Sequence, residues 1–218
     1  MGSVTPTQAA SIALFDYGFN IDSNITLLGD TLPAEINASG FDFTTGLGSI
    51  SINLSGAGTH TVDAFFDHDI DTGNNTHFNE TAFSNGVAIA GQSWEMDEPG
   101  YVNGDIYDNF QDSLLDNGIG TSIYGNTSFP EDVSMAMGWD FLLAANETAL
   151  INLLLSDTAP TGGFFLIHSD SESDNSIYLS SSLSITAVPV TDSLWLMISG
   201  LLGLVTVKRK ALRGGHKL

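Results

Sequence analysis

Three aspartates, Asp67, Asp69 and Asp71, alternate along one short stretch of the chain. Alternating carboxylates on a loop can converge on one hard cation, and Ca²⁺ takes six to eight oxygen ligands at about 2.3 to 2.6 Å. The match to an EF-hand is imperfect, because Thr72 stands at its glycine position and Phe78 at its glutamate position. We name the three aspartates as candidate calcium ligands; the alternative is a solvated acidic turn between two strands.

A second pair of carboxylates, Glu95 and Asp97, lies close to the aromatic residues Trp94 and Tyr101. On an extended strand the two carboxylates would share one face about 7 Å apart, a separation that suits an inverting glycosidase. Trp94 and Tyr101 offer flat apolar faces on which a sugar ring can stack. The interpretation that we favour is a polar loop over residues 91–100, with carbohydrate contact at the two aromatic residues as the alternative.

The common catalytic motifs are absent from the sequence. It contains no Gly-x-Ser-x-Gly elbow, no His-Glu-x-x-His motif and no glycine-rich phosphate loop. His60, His68 and His77 lie near one another in sequence without metal-ligand spacing, so we expect surface histidines. Cysteine is also absent, which excludes thiol catalysis and cysteine-ligated metals. We therefore predict that the protein is not an enzyme.

The charges are divided between the two parts of the chain. The formal net charge is -21, all 26 acidic residues precede residue 208, and all five Lys and Arg residues follow residue 207. A body this acidic repels nucleic acid, which excludes that partner. Because no basic side chain is available for salt bridges, folding must depend on apolar burial, hydrogen bonds and cations from solution or bound metal.

The periodicity of residues 8–187 predicts an all-β domain. Apolar residues occupy every odd position of residues 133–141, and residues 12–19, 50–54, 61–66, 87–90, 148–155, 164–168 and 176–186 are further strand candidates. The strands are short and separated by Gly, Asn, Asp and Ser, which favours an antiparallel β-sandwich, jelly-roll-like in topology. Residues 105–116 are the exception, because Ile106, Phe110 and Leu114 recur at helical spacing.

The C-terminal residues have a different character. The run from Leu194 to Val207 contains no charge, and the basic residues Lys208, Arg209 and Lys210 follow it directly. A helix of this length spans roughly 21 Å, which is short for a permanent membrane span, but the run is terminal and apolar on every side. Acids before it and bases after it follow the positive-inside rule, which predicts an external body and a cytoplasmic tail. The alternative is a buried core helix.

These C-terminal features resemble a PEP-CTERM sorting signal of Gram-negative bacteria. Val188, Pro189 and Val190 stand where the family has Pro-Glu-Pro, and the match covers about the last 30 residues. The residues that correspond to the membrane helix include Leu194, Trp195, Leu201, Leu204 and Val207. The resemblance implies transient anchoring in the inner membrane, processing by an exosortase-type membrane enzyme, and delivery to the cell surface or the extracellular matrix. The segments 64–71, 91–101 and 132–141 are similar to segments found together in one group of such proteins.

These observations predict three parts: a disordered N-terminus (residues 1–7), an acidic β-sandwich ectodomain (residues 8–187) and a sorting signal (residues 188–218). Residues 1–7 contain no basic residue and no apolar core, so they do not form a secretory signal peptide. The expected function is that of a structural protein of the cell surface or biofilm matrix, with divalent cations and acidic exopolysaccharide as partners. The alternative is a lectin-like module centred on Trp94.

Overall fold

The computed structural model describes residues 11–73, 79–100, 103–120 and 132–189 of the 218-residue chain. Residues 1–7, Tyr101 and residues 190–218, about which the sequence makes predictions, lie outside these ranges. The chain divides into two compact units, residues 1–186 and residues 187–218. All but the last of the strand residues belong to the first unit.

The described chain is mostly β-structure, in two six-stranded sheets. Sheet A has the strand order β2-β1-β5-β9-β7-β8. Its strands are β1 (Ile12–Ile21), β2 (Asn24–Leu27), β5 (Gly58–Ile70), β7 (Gln92–Asp97), β8 (Gly118–Ile119) and β9 (Ser134–Leu143). All neighbours in sheet A pair antiparallel except β7 and β8, which are parallel.

Sheet B has the strand order β3-β4-β10-β12-β11-β6. Its strands are β3 (Ile36–Asp42), β4 (Leu47–Ser55), β6 (Glu80–Asn85), β10 (Glu147–Ser156), β11 (Phe165–Asp170) and β12 (Ser176–Ala187). The pairs β3 with β4, β4 with β10, β11 with β12 and β6 with β11 are antiparallel. The two sheets are therefore rich in antiparallel pairs, as the short alternating segments predict.

One large hydrophobic core takes side chains from both sheets. Phe19 and Phe66 of sheet A are buried in the same cluster as Ile52 and Leu153 of sheet B. Along β9 the odd-numbered side chains from Met135 to Leu143 enter this core, which confirms the alternation expected for residues 133–141. Since successive side chains of a strand point to opposite faces, the even-numbered residues of β9 lie on the other face of sheet A.

One short helix, α1 (Ile106–Asp112), packs on that other face. Its buried residues Ile106 and Phe110 contact Phe65 and Ala136 in a second, smaller hydrophobic cluster. The predicted helix over residues 105–116 is thus too long at its C-terminal end. The chain leaves the helix through Ser113, whose φ of 56° is left-handed. Consequently Leu114 is 66% exposed, and Leu115 packs in the apolar position that the sequence pattern assigns to Leu114.

Two local predictions, one of a strand and one of a loop, are wrong. Residues 87–90 form no strand: Val87 and Ile89 are 84% and 62% exposed, and Ala88 packs against the core from outside a strand. Conversely, the expected polar loop over residues 91–100 contains β7, which pairs with the central strand β9. Among the described residues no helix is long and apolar enough to cross a membrane.

Candidate cation sites

The face of sheet A that carries α1 is strongly acidic. Asp16 on β1 lies directly opposite Asp67 on β5, Asp67 opposite Ser134 on β9, and Ser134 opposite Asp97 on β7. These four residues form one row across four strands. Asp67 and Asp97 are buried, and Asp67 accepts a hydrogen bond of 2.9 Å from the Ser134 hydroxyl. We call this side of the sheet, including α1 and the loops beside it, the acidic face.

Three carboxylates of the acidic face converge. Oxygens of Glu95, Asp105 and Asp116 all lie within 4.8 Å of one another, and we call this set the Glu95 cluster. Glu95 belongs to β7 and is buried, whereas Asp105 and Asp116 flank α1 and are exposed. A buried carboxylate with two exposed ones at such separations provides hard oxygen ligands at the surface, which is the donor set that Ca²⁺ prefers.

The buried member of the Glu95 cluster is held by hydrogen bonds from α1 and the loop after it. The Asn109 side-chain amide donates to both carboxylate oxygens of Glu95, at 3.1 and 3.2 Å. The backbone N–H of Asp116 donates to Glu95 Oε2 at 3.0 Å. The docking of α1 therefore brings Asp105 and Asp116 to Glu95 and fixes the orientation of its carboxyl group.

Burial disfavours the ionised form of the carboxyl groups on the acidic face. It raises the pKa of Glu95 to about 7, and the charges of Asp105 and Asp116 also raise this pKa. The hydrogen bonds from Asp116 and Asn109 lower it in part. Burial likewise raises the pKa of Asp97 to about 6, although backbone N–H groups of Glu98 and Asp105 donate to its oxygens. A bound cation would favour the ionised form of both groups.

The predicted calcium ligands do not lie together on a loop. Asp67 and Asp69 are residues of β5, and Asp71 follows its last residue with a left-handed φ of 61°. The expectation of a carboxylate loop is therefore wrong for the first two residues. Within the described ranges, the set of three close ligand atoms belongs to the Glu95 cluster and not to these aspartates. Desolvation raises the pKa of Asp67 well above its usual value, and the neighbouring charge of Asp132 adds to this.

On the inner side of sheet B, Glu80 and His168 form a buried pair. Glu80 Oε1 accepts a hydrogen bond from the Ile70 N–H at 3.1 Å, and Oε2 accepts one from the Val133 N–H at 2.9 Å. His168 Nε2 lies 2.7 Å from Glu80 Oε2. Burial raises the pKa of Glu80 to about 9 and lowers the pKa of His168 to about 3. Both shifts favour the neutral forms of the two groups near pH 7.

The sequence predicts surface histidines, and this prediction is wrong for His68. His68 is fully buried in β5, and its Nε2 lies 3.1 Å from the carbonyl oxygen of Gly46. Burial lowers the pKa of His68 to about 3. His60 is partly buried and lies 2.8 Å from Asp22 Oδ2, whereas His77 lies outside the described residues. Period-2 alternation along β5 is the signal that could have placed His68 inside, because Phe66 and Ile70 share its face.

The predicted carbohydrate contacts receive no support from the packing. Trp94 is half-buried, and its ring centroid lies 5.3 Å from that of Phe164, against the main core. Tyr101 lies outside the described residues. Glu95 and Asp97 both belong to β7, and their carboxylates are occupied by hydrogen bonds from N–H groups of the protein. These contacts describe structural roles for the three residues.

Of the C-terminal residues with a predicted role, the structure describes Val188 and Pro189. They follow β12, and Val188 is 47% exposed. Val190, the apolar run from Leu194 to Val207 and the basic residues 208–210 lie outside the described residues. Comparison with protein-family models, curated proteins and solved structures finds no match to the chain.

Proposed function

We propose that the protein is an exported, non-enzymatic component of the cell surface or the extracellular matrix, and that its acidic body binds divalent cations. In this proposal the two sheets form an antiparallel β-sandwich of jelly-roll type. Bound cations link the body to acidic exopolysaccharide or to other copies of the chain. The function is physical rather than catalytic: a polyanionic surface whose contacts depend on the cations around it.

The observation that carries the proposal is that all 26 acidic residues precede residue 208, whereas no Lys or Arg does. Without basic partners, the mutual repulsion of the carboxylates destabilises the compact state. The Glu95 cluster concentrates this repulsion, because three carboxylates converge at its surface. Cation binding there would relieve the repulsion, so the chain has a physical reason to bind cations in its folded state.

Ca²⁺ is the cation that suits this set best. Its flexible coordination by carboxylates, carbonyls and water accepts irregular sites, whereas Mg²⁺ requires near-octahedral geometry and retains its water. Glu95, Asp105 and Asp116 would supply the carboxylate oxygens. The role of Asp67, Asp69 and Asp71 as calcium ligands stays a prediction.

The C-terminal residues supply the export part of the proposal. Val188, Pro189 and Val190 present an extended segment to an exosortase-type membrane enzyme. Residues 194–207 hold the chain in the inner membrane until processing, and Lys208, Arg209 and Lys210 keep the tail on the cytoplasmic side. The similarity to the PEP-CTERM signal supports this route.

A calcium titration of stability tests the cation part. Adding about 10 mM Ca²⁺ should raise the free energy of unfolding by about 1.4 kcal/mol, if the site has the roughly millimolar affinity of extracellular calcium modules. KCl at equal ionic strength is the reference, because it screens charge without occupying a site. Urea denaturation with each salt measures the difference.

Two variants test whether the calcium-specific stabilisation arises at the Glu95 cluster. Asp116→Asn removes one exposed carboxylate of the Glu95 cluster, and Asp112→Asn removes an exposed carboxylate of α1 outside it. We expect the calcium-specific stabilisation to be lost in Asp116→Asn and kept in Asp112→Asn. Equal stabilisation by Ca²⁺ and KCl in the unmodified chain would contradict specific cation binding.

A further inference from the structure

One buried side chain of sheet A forms hydrogen bonds with the C-terminal end of α1. The Asn20 amide nitrogen, on β1, donates to the carbonyl oxygens of Phe110 and Gln111 at 3.2 and 2.7 Å. It also lies 3.1 Å from the Ser113 hydroxyl oxygen. The last carbonyls of a helix have no partner within the helix, so Asn20 satisfies groups that would otherwise be unpaired. Asn20 is 1% exposed, and solvent cannot replace it.

Two buried acceptor atoms beside this contact have no hydrogen-bond donor among the described residues. They are Asn20 Oδ1 and Asp63 Oδ2. Asn20 on β1 and Asp63 on β5 are directly opposite each other in the antiparallel pair, where side chains are neighbours about 4.5 to 5.5 Å apart at Cβ. Both side chains also reach the Ser113 hydroxyl. The two unpaired oxygens thus belong to neighbouring groups in one buried place.

These two acceptor atoms on neighbouring side chains lack a hydrogen-bond donor in the part of the chain that the structure describes. Asn20 cannot supply it, because its amide nitrogen already serves the end of α1. A carboxylic acid at Asp63 supplies it, since a protonated carboxyl group is a donor as well as an acceptor. We propose that Asp63 is protonated in the folded protein and donates a hydrogen bond to Asn20 Oδ1. This hydrogen bond stabilises the contact between Asn20 and the end of α1.

The surroundings of Asp63 favour the protonated form. Gly138 of β9 lies directly opposite Asp63 and has no side chain, and a Cβ there would collide with the Asp63 carboxyl group. Ser93 of β7 and Ser113 after α1 are neutral, and the charged group that acts on Asp63 is Asp140 of β9. Burial raises the pKa of Asp63 to about 7, Asp140 raises it too, and the Ser113 hydrogen bond lowers it.

The proposed hydrogen bond from Asp63 to Asn20 makes the docking of α1 dependent on pH. Above about pH 7 Asp63 ionises, and the buried carboxylate can then no longer donate a hydrogen bond to Asn20 Oδ1. The stabilisation is fully present below the pKa of an unfolded aspartate, about 3.9, and is lost as the pH rises through about 7. The inference goes beyond the proposed function, because it holds whether or not the Glu95 cluster binds a cation.

A ¹³C NMR titration of the full chain tests the protonation directly. The carboxyl carbon of Asp63 should titrate near pH 7. In the same samples, hydrogen-exchange protection of the Phe110 amide should fall about tenfold between pH 6 and pH 8, once corrected for the intrinsic exchange rate. An Asp63 carboxyl group that titrates near the usual value of about 3.9 would overturn the proposal.

Asp63→Asn provides the matched variant, because its side-chain amide can donate to Asn20 Oδ1 at every pH. We expect its Phe110 protection to be the same at pH 6 and pH 8. Asp112→Asn, which removes an exposed charge from the same helix, should keep the pH dependence of the unmodified protein. A pH dependence that survives in Asp63→Asn, or disappears in Asp112→Asn, would overturn the assignment. If Asp63→Asn does not fold, the titration of the unmodified chain still decides.

Discussion

Glu80 shows how a buried acid can stabilise this chain without a basic partner. Its two oxygens accept backbone hydrogen bonds from Ile70 in sheet A and from Val133 beside β9, and its carboxyl group contacts His168. One side chain therefore connects strand β6 of sheet B to the end of β5 in sheet A and to the residue that precedes β9. Because the group is neutral near pH 7, these contacts do not require a buried charge.

At the residue scale, Glu80→Ala should lower the free energy of unfolding by about 2 to 5 kcal/mol, since two buried N–H groups lose their acceptors. Glu147→Ala is the control, because Glu147 also accepts a backbone N–H bond, from Ala144, but in an exposed turn. We expect the control to change stability by less than about 1 kcal/mol. Urea denaturation measures both, and similar losses in the two variants would contradict the role of Glu80.

Sequence alone identifies acidic residues but does not tell which of them are buried. Asp67 and Asp69 were recognisable as possible ligands, yet their position on β5 was not, because an acid-rich segment normally indicates a solvated turn. Glu95 and Asp97 were recognisable as a same-face pair on a strand. Asp105 and Asp116 join Glu95 only because α1 docks on sheet A, and no periodic pattern in the sequence predicts that contact.

Among the elements, strands with regular apolar alternation such as β9 and β10 were predictable, whereas β3 and β6, which also contribute to the main core, and β7 were not. Residues of β9 and β10 alternate between apolar and small or polar side chains, because only one face enters the core. In β7 the acids Glu95 and Asp97 are buried beneath α1 and its loops, so the segment resembles a polar loop. The end of α1 was misplaced because Ser113 turns the chain and exchanges the roles of Leu114 and Leu115.

This exchange gives a prediction for α1. Leu115→Ala should lower the free energy of unfolding by about 2 to 4 kcal/mol, because Leu115 packs with Phe65 and Phe110. Leu114→Ala, one residue earlier, should change it by no more than about 0.5 kcal/mol, because Leu114 is exposed. Thermal unfolding monitored by circular dichroism compares them. A larger loss in Leu114→Ala would mean that the helix continues to Leu114 and packs as the sequence periodicity suggests.

For the whole molecule, protonation of the buried acids neutralises charges that have no basic side chain to pair with. Asp63, Glu80 and Glu95 have pKa values raised by burial to about 7, 9 and 7. Between their usual and raised pKa values, the folded state binds more protons than the unfolded state. Stability therefore falls as the pH rises through this range, and it is restored as the pH is lowered.

We accordingly expect the free energy of unfolding to increase by at least about 1 kcal/mol when the pH is lowered from about 9 to about 6.5. His68 and His168 oppose this change only in part, because an unfolded histidine is half-protonated at about pH 6.5 and largely neutral above it. Urea denaturation at constant ionic strength across this range is the measurement. A stability that is constant or rises toward pH 9 would show that the buried acids are ionised in the folded protein.

Intact-mass analysis of the native protein from the cell surface and the medium tests whether the acidic body is exported and processed. We expect a mature chain that has lost a C-terminal piece beginning near Val188, with its apolar run and its basic residues. A protein recovered outside the inner membrane with residues 188–218 still attached would contradict processing of the sorting signal.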